Sequence, residues 1–434
     1  MQKLMQRHYR HVYLYACIMS VVTQVSQLTS TPTHHDPWIT IFVHGIVNVQ
    51  PHLNLKTILR LMNDRVEGSN YQKRIAAIRS DPFFQRNQAI QGLGLVPVDK
   101  TNTASIKGAA ASALATIFDQ IYTWESHRSG DDNYYYTYGW SGLLSPSIRL
   151  KESHEFYRQL KEEITKYHAQ GIYPKIRMVG YSHGGNIVLG LASAYKKDTH
   201  QTFSIDETIL LGVPIQEETN HFVASQLFKR VINLYSRADR IQPLDYFSYK
   251  RFGSDRQFKP RHGLRLPKKL TQIEIRLFRN TKASTPKTLT CPDKRFDFDN
   301  PRILSGRTQG LRNTSPGHCE LWSFGWTRTF YRKDFILSPL PVVALIPYLV
   351  ESIKELAPDT SDSRHLIADI RLDQEMLIIR EKHHDEPHLI PFMSRSQVEE
   401  LKNIARNFAH TRPTKREYQR RLKLALARAR TPQE

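Results

Sequence analysis

A serine stands inside Gly180-Tyr181-Ser182-His183-Gly184-Gly185, and this stretch limits what the chain can become more than any other. The apolar run Ile176 to Val179 precedes it, and an Ala-rich apolar segment reaching Tyr195 follows. The order reads as strand, tight turn and buried helix. At the apex of such a turn a non-glycine residue is strained, its hydroxyl stands clear of its neighbours, and helix N-terminal amides lie behind it. Glycines on both sides fit, because a Cβ there would strike the adjoining strand or helix. Ser182 is therefore the candidate nucleophile. Without its flanks, the same pattern would be a glycine-rich connection carrying an inert serine.

Further strands precede and follow this turn. Trp38-Ile-Thr-Ile-Phe-Val reads as a buried strand stopped by His44-Gly45. Tyr134 to Tyr138 is a strand ended by Gly139, and its successive tyrosines face opposite sides of a sheet, which suits packing better than a stacking platform. A helix follows with Phe156, Leu160, Ile164 and Tyr167 on one face, closed by Gly171. After the Ser182 helix, Glu207 to Leu211 is a strand ending in Gly212-Val213-Pro214, and a helix is expected from Glu217 to Arg230. Val231 to Tyr235 is the next strand, with Asp239 on the loop beyond it; Ile273 to Phe278 alternates as a half-exposed strand should. Strands alternating with helices predict an α/β fold, a mostly parallel sheet flanked by helices.

The Gly-Tyr-Ser-His-Gly-Gly turn, the strand ending in His44-Gly45 and the Asp239 loop together resemble the α/β-hydrolase superfamily, its lipase-like and esterase-like members in particular. The Gly-x-Pro ending at Gly212 recurs in the same relatives. The resemblance implies an α/β-hydrolase domain over residues 36–330, with an insertion at about 49–132 after the His-Gly strand. It implies a triad of Ser182, Asp239 and His318, the last from Ser315-Pro-Gly317-His318, in the chain order this fold expects. Asp245 is the substitute acid. A long Pro/Asn-rich insertion separates the last strand from His318, so His262 is the fallback base. Amides of His183 and of Gly45 or Ile46 would form the oxyanion hole, while the His183 side chain would serve as a pocket or packing residue. Neither a metal nor an organic cofactor is implied.

The remainder of the chain is read from its residues. Residues 1–30 carry Lys3, Arg7 and Arg10 before an apolar run from Val12 to Val22, which reads as a secretory signal or uncleaved anchor, against a packed N-terminal helix in a cytoplasmic protein. Within the insertion, Leu53 to Val66 and Ile106 to Trp124 have helical spacing; a lid over the site and structural padding both fit. Residues 331–434 form an added C-terminal region. In it we expect a short packed helix after a Pro-rich turn within Phe335 to Val350, where Pro339, Pro341 and Pro347 argue against a membrane span. A hairpin around Asp373-Gln374 and a capping box at Ser396-Gln-Val-Glu399 are expected next. Arg412 to Arg430 is a basic tail, a helix candidate whose alternating leucines suit a solvated tail better than a membrane-surface helix.

Lys plus Arg number 62 against 41 Asp plus Glu, a net charge of +21, which draws the surface to anionic partners. Lys250 to Lys269 is a basic loop, either solvated or docking on phosphates. Cys17, Cys291 and Cys319 fit neither a zinc site nor a redox pair; Cys291 and Cys319 bridge or stay apart according to the compartment. Three function classes stay open. The first is a carboxylic-ester hydrolase acting on an ester or lipid; the second is an acyltransferase, thioesterase or peptidase on the same triad. The third is a non-catalytic protein of this fold docking on an anionic membrane surface or polymer. Specific nucleic-acid binding is not expected.

Overall fold

A computed structural model describes residues 37–47, 61, 63–101, 108–126, 133–239, 241–242, 254–260, 265–280, 311–313, 315–325, 335–356, 363–381, 387–408 and 414–428. The N-terminal segment, Asp245, His262, Cys291 and most of the helix expected from Leu53 to Val66 lie outside these residues. Trp38 to Glu434 forms one compact unit. Among the described residues no helix is long and apolar enough to cross a membrane.

The unit is built on an 11-stranded sheet. In chain order the strands are β1 (Trp38–Val43), β2 (Gly94–Pro97), β3 (Asn133–Gly139), β4 (Lys175–Tyr181), β5 (Glu207–Leu211), β6 (Val231–Tyr235), β7 (Leu270–Asn280), β8 (Leu311–Asn313), β9 (Arg364–Arg371), β10 (Met376–Glu381) and β11 (His388–Pro391). Their order in space is β11-β10-β9-β7-β6-β5-β4-β1-β3-β2, with β8 beside β7. From β3 to β9 every pairing is parallel; β2, β8, β10 and β11 are antiparallel. The fold is thus of α/β type, as the alternation of strands and helices predicts.

Among the described residues the longer helices are α1 (Asn70–Ser80), α2 (Ala109–Ser126), α3 (Pro146–Ala169), α4 (His183–Lys197), α5 (Ile346–Glu355), α6 (Arg395–Phe408) and α7 (Lys415–Arg428). Two apolar layers sandwich the sheet. One holds α3 and α4 against Ile39, Ile41 and Val43 of β1 and Ile176 and Met178 of β4. The other holds α2, α5 and α6 against Phe42, Val179, Tyr181 and Ile209. The tyrosines of β3 split as expected, Tyr135 into one layer and Tyr136 into the other. Within the 49–132 insertion, α2 is a core element whose apolar residues fill the second layer, and β2 is an edge strand on β3.

Several sequence expectations are corrected. The helix predicted from Glu217 to Arg230 is only one turn, Glu217–Asn220, followed by a 3-10 turn His221–Ala224. Ser225 turns extended, and the backbone of Leu227 and Lys229 bonds to Ile205, so those groups are taken by a bridge. β7 is not half-exposed: Gln272, Glu274 and Arg276 are as buried as the isoleucines between them. Burial is tolerated because Glu274 accepts Arg276 Nε at 2.7 Å and Arg237 Nε at 3.0 Å. The capping box lies two residues earlier, with Ser394 Oγ accepting the Gln397 amide at 3.2 Å and Gln397 Oε1 accepting the Ser394 amide at 2.8 Å. The C-terminal region continues the sheet through β9, beside β7, and the hairpin at Asp373-Gln374 joins β9 to β10.

The basic tail helix is docked, not solvated. Leu422 and Ala425 of α7 are buried against Ile78, Phe83, Phe84, Ile90 and Val47, with Tyr418 and Leu426 packed alongside. Tyr418, Leu422, Ala425 and Leu426 fall at i, i+4, i+7 and i+8, a helical stripe that counting leucines alone does not reveal.

Candidate active site

Ser182 sits between β4 and α4 with φ 50° and ψ −132°, a backbone conformation that L residues avoid. The strain is held by packing on both sides, and the Ser182 amide donates to Leu211 O of β5 at 3.0 Å. Two close approaches show why glycine is needed. A Cβ on Gly184 would stand 2.3 Å from His44 O, and one on Gly45 would stand 2.9 Å from Ser182 Cβ. The serine turn and the His44-Gly45 turn therefore pack directly on each other, as neighbouring β4 and β1 require.

Ser182, His318 and Asp239 come together from three places in the chain. His318 Nε2 lies 3.0 Å from Ser182 Oγ, and His318 Nδ1 lies 2.7 Å from Asp239 Oδ2. All three are buried, Asp239 completely. A carboxylate only accepts, so Nδ1 carries the proton and Nε2 is left to accept from the serine hydroxyl. Asp239 Oδ1 is also occupied, by the amides of Ile241 at 2.9 Å and Gln242 at 3.2 Å. The acid loop is anchored below: Arg256 Nη2 donates to Asp239 O at 2.6 Å, and Asn233 of β6 donates to Arg256 O at 3.0 Å.

His318 begins a 3-10 turn, Cys319–Leu321, whose N-terminal side is tied by Glu320 Oε2 accepting the Gly317 amide at 2.6 Å. Tyr181, the last residue of β4, donates its hydroxyl to His318 O at 3.0 Å. Its ring lies 4.9 Å from the imidazole and stacks on Trp322 at 5.1 Å and 2°. Sequence reading passes over Tyr181 and Trp322, since no local pattern reveals a contact 137 residues apart. The free choice of rotamer for His318 is thereby removed.

Beside the serine, His44 is wholly buried and stacked on Trp140. Its Nδ1 donates to Gly45 O at 2.6 Å, its Nε2 accepts the Trp140 amide at 3.3 Å, and its carbonyl accepts Trp140 Nε1 at 2.6 Å. Burial and, next, the charge of Arg79 pull its pKa down from 6.5 to about 3, so the ring is neutral with one fixed tautomer. Holding the Gly45 carbonyl also fixes the direction of the Ile46 N–H, because the two lie in one trans peptide plane.

The His183 side chain points away from the triad into a buried set on α3, as its position in the turn suggests. His183 Nδ1 meets Arg149 Nη1, and Arg149 Nη2 donates to Gln216 Oε1 at 2.9 Å. The His183 amide heads α4. Cys319 is buried next to His318. Among the described residues no group of three His, Cys, Asp or Glu side chains is placed to hold a metal ion. Comparison with protein-family models, with curated proteins and with solved structures found no match to this chain.

Proposed function

We propose that the chain is a serine hydrolase of the α/β-hydrolase type that cleaves a carboxylic ester, lipase-like or esterase-like in its chemistry. The observation that carries this reading is the unbroken relay from Ser182 Oγ through His318 to Asp239, at 3.0 and 2.7 Å, seated on a strained serine turn. The strand order supports it. β1 runs between β3 and β4, so the connections leave in opposite directions there, and a crevice at the C-terminal strand ends is where such sheets take ligands.

In this mechanism Ser182 Oγ attacks the ester carbonyl while His318 Nε2 takes its proton, and Asp239 stabilises the imidazolium. The oxyanion is received by the His183 amide and by a second amide from the His44-Gly45 turn. Of Gly45 and Ile46, we favour Ile46, whose peptide is held by His44. Each such donor is worth about 3 kcal/mol of barrier. His318 then returns its proton to the departing alkoxide, which leaves as the alcohol. Water attacks the acyl-serine, its proton passing to His318, and collapse releases the acid and regenerates the hydroxyl.

The test is labelling with a fluorophosphonate, followed by release of free acid from a chain-length series of simple esters. Labelling and release should both vanish in Ser182→Ala. A folded wild-type chain that takes no label would overturn the reading and leave a non-catalytic binder. Label without free acid unless an alcohol or thiol acceptor is added would move the reading to acyl transfer.

A further inference from the structure

The outer face of α7 has a chemistry that the triad does not use. Its inner stripe is seated by Leu422 and Ala425, with the Tyr418 ring 5.6 Å from Phe84 and Arg421 over the Phe83 ring at 5.5 Å. The opposite face carries Arg416, Arg420 and Lys423 at i, i+4 and i+7, all exposed. Leu424 beside them is 45 % exposed. Glu417 is the only acidic residue in the helix. No carboxylate pairs with Arg416, Arg420 or Lys423 among the described residues. Val47, two residues past Gly45, belongs to the cluster that seats the inner stripe of α7.

We infer that the outer face of α7 is a docking surface for an anionic phospholipid bilayer. Three cations in one row, with no carboxylate partner among the described residues, suit a sheet of phosphate headgroups, and the chain as a whole, at +21, is attracted to it from a distance. Phosphates of nucleic acid would satisfy the cations equally, but a leucine left exposed beside the row has no partner on a phosphate backbone. At a bilayer it reaches the boundary between headgroups and acyl chains. The helix differs from a free amphipathic helix in that its apolar stripe is spent on the protein. Adhesion therefore rests mainly on charge and falls with salt. Docking does not depend on Ser182 being a nucleophile.

The experiment uses the full chain as Ser182→Ala, so that no turnover intervenes, sedimented with vesicles of phosphatidylcholine alone or mixed with phosphatidylglycerol. Binding is expected only to the mixed vesicles and should fall steeply with salt. Replacing Arg416, Arg420 and Lys423 together by Gln should weaken it about a hundredfold, since each cation near the surface contributes about fivefold. Leu424→Ser should weaken vesicle binding while leaving retention on duplex DNA unchanged. All four side chains are exposed, so folding is checked by an unaltered melting temperature, and the single Leu424→Ser and salt arms stand alone if the triple variant does not fold. Equal binding of the variants and the parent to mixed vesicles overturns the inference. So does duplex DNA that displaces the chain from vesicles with Leu424→Ser making no difference.

Discussion

Tyr181 joins Ser182 to His318 at the scale of single residues. It ends the strand that leads into Ser182, and its hydroxyl and ring hold the backbone and imidazole of His318. Tyr181→Phe keeps the stack on Trp322 but frees the His318 carbonyl. A single neutral hydrogen bond is worth about 1 kcal/mol, so kcat should fall about fivefold with KM unchanged. Steady-state kinetics on a soluble ester decides this: a rise in KM alone would mean that Tyr181 touches substrate instead of positioning the base. His44 works similarly on the other side. Its neutral ring grips the Gly45 carbonyl and so orients the following amide, which a glycine-rich turn could not do unaided.

Elements far apart in the chain are bound to the sheet by buried polar ties as well as by apolar contact. Glu207 at the start of β5 accepts Arg177 of β4 at 2.6 Å and Lys354 of α5 at 2.9 Å, and the Arg177 guanidinium lies 4.5 Å from the Trp38 ring of β1. The C-terminal helix α7 is held more simply, by Leu422 and Ala425 against Phe83 and Phe84. Leu422→Ala should cost about 2–5 kcal/mol, because a fully seated side chain leaves a cavity behind. Thermal denaturation should show the lowered midpoint, and limited proteolysis should cut earlier within α7. An unchanged cleavage pattern would mean that the helix does not need this contact to stay docked.

Over the whole molecule, two buried groups make the fold sensitive to acid. His44 has its pKa lowered from 6.5 to about 3, so the unfolded chain binds its proton first and stability is lost as pH falls through that interval. Burial pushes Glu207 up, but the charges of Arg177 and Lys354 outweigh it and bring its pKa from 4.5 down to about 2. Its stabilising contribution is present above 4.5 and lost on descending towards 2. The melting temperature should therefore decline through both windows. In Glu207→Gln the decline below about 4.5 should be shallower, on a protein already weakened at neutral pH by about 3 kcal/mol because buried Arg177 loses its partner. Parallel curves for the two proteins below that pH would contradict the assignment of Glu207.

The sequence by itself determined the local grammar: the strand, turn and helix around Ser182, the stop at His44-Gly45, the faces of β3, and the alternation that makes an α/β sheet. These are legible because periodicity and glycine placement act over a few residues. It also named Asp239 and His318, through a resemblance to the α/β-hydrolase superfamily and not through any local rule. Where reading failed, the deciding contact was remote. The helix at Glu217 was cut short by a bridge to Ile205, and β7 was buried through ion pairs with Arg237 and within the strand. Tyr181 and His44 gained their roles only once β4 and β1 lay side by side. Tertiary structure alone decided that α7 is docked, that the C-terminal region extends the sheet, and that a hydroxyl, an imidazole and a carboxylate meet at 3.0 and 2.7 Å. The physical reason is that a pattern records which face of an element is apolar, whereas partnership depends on which elements the folded chain brings together.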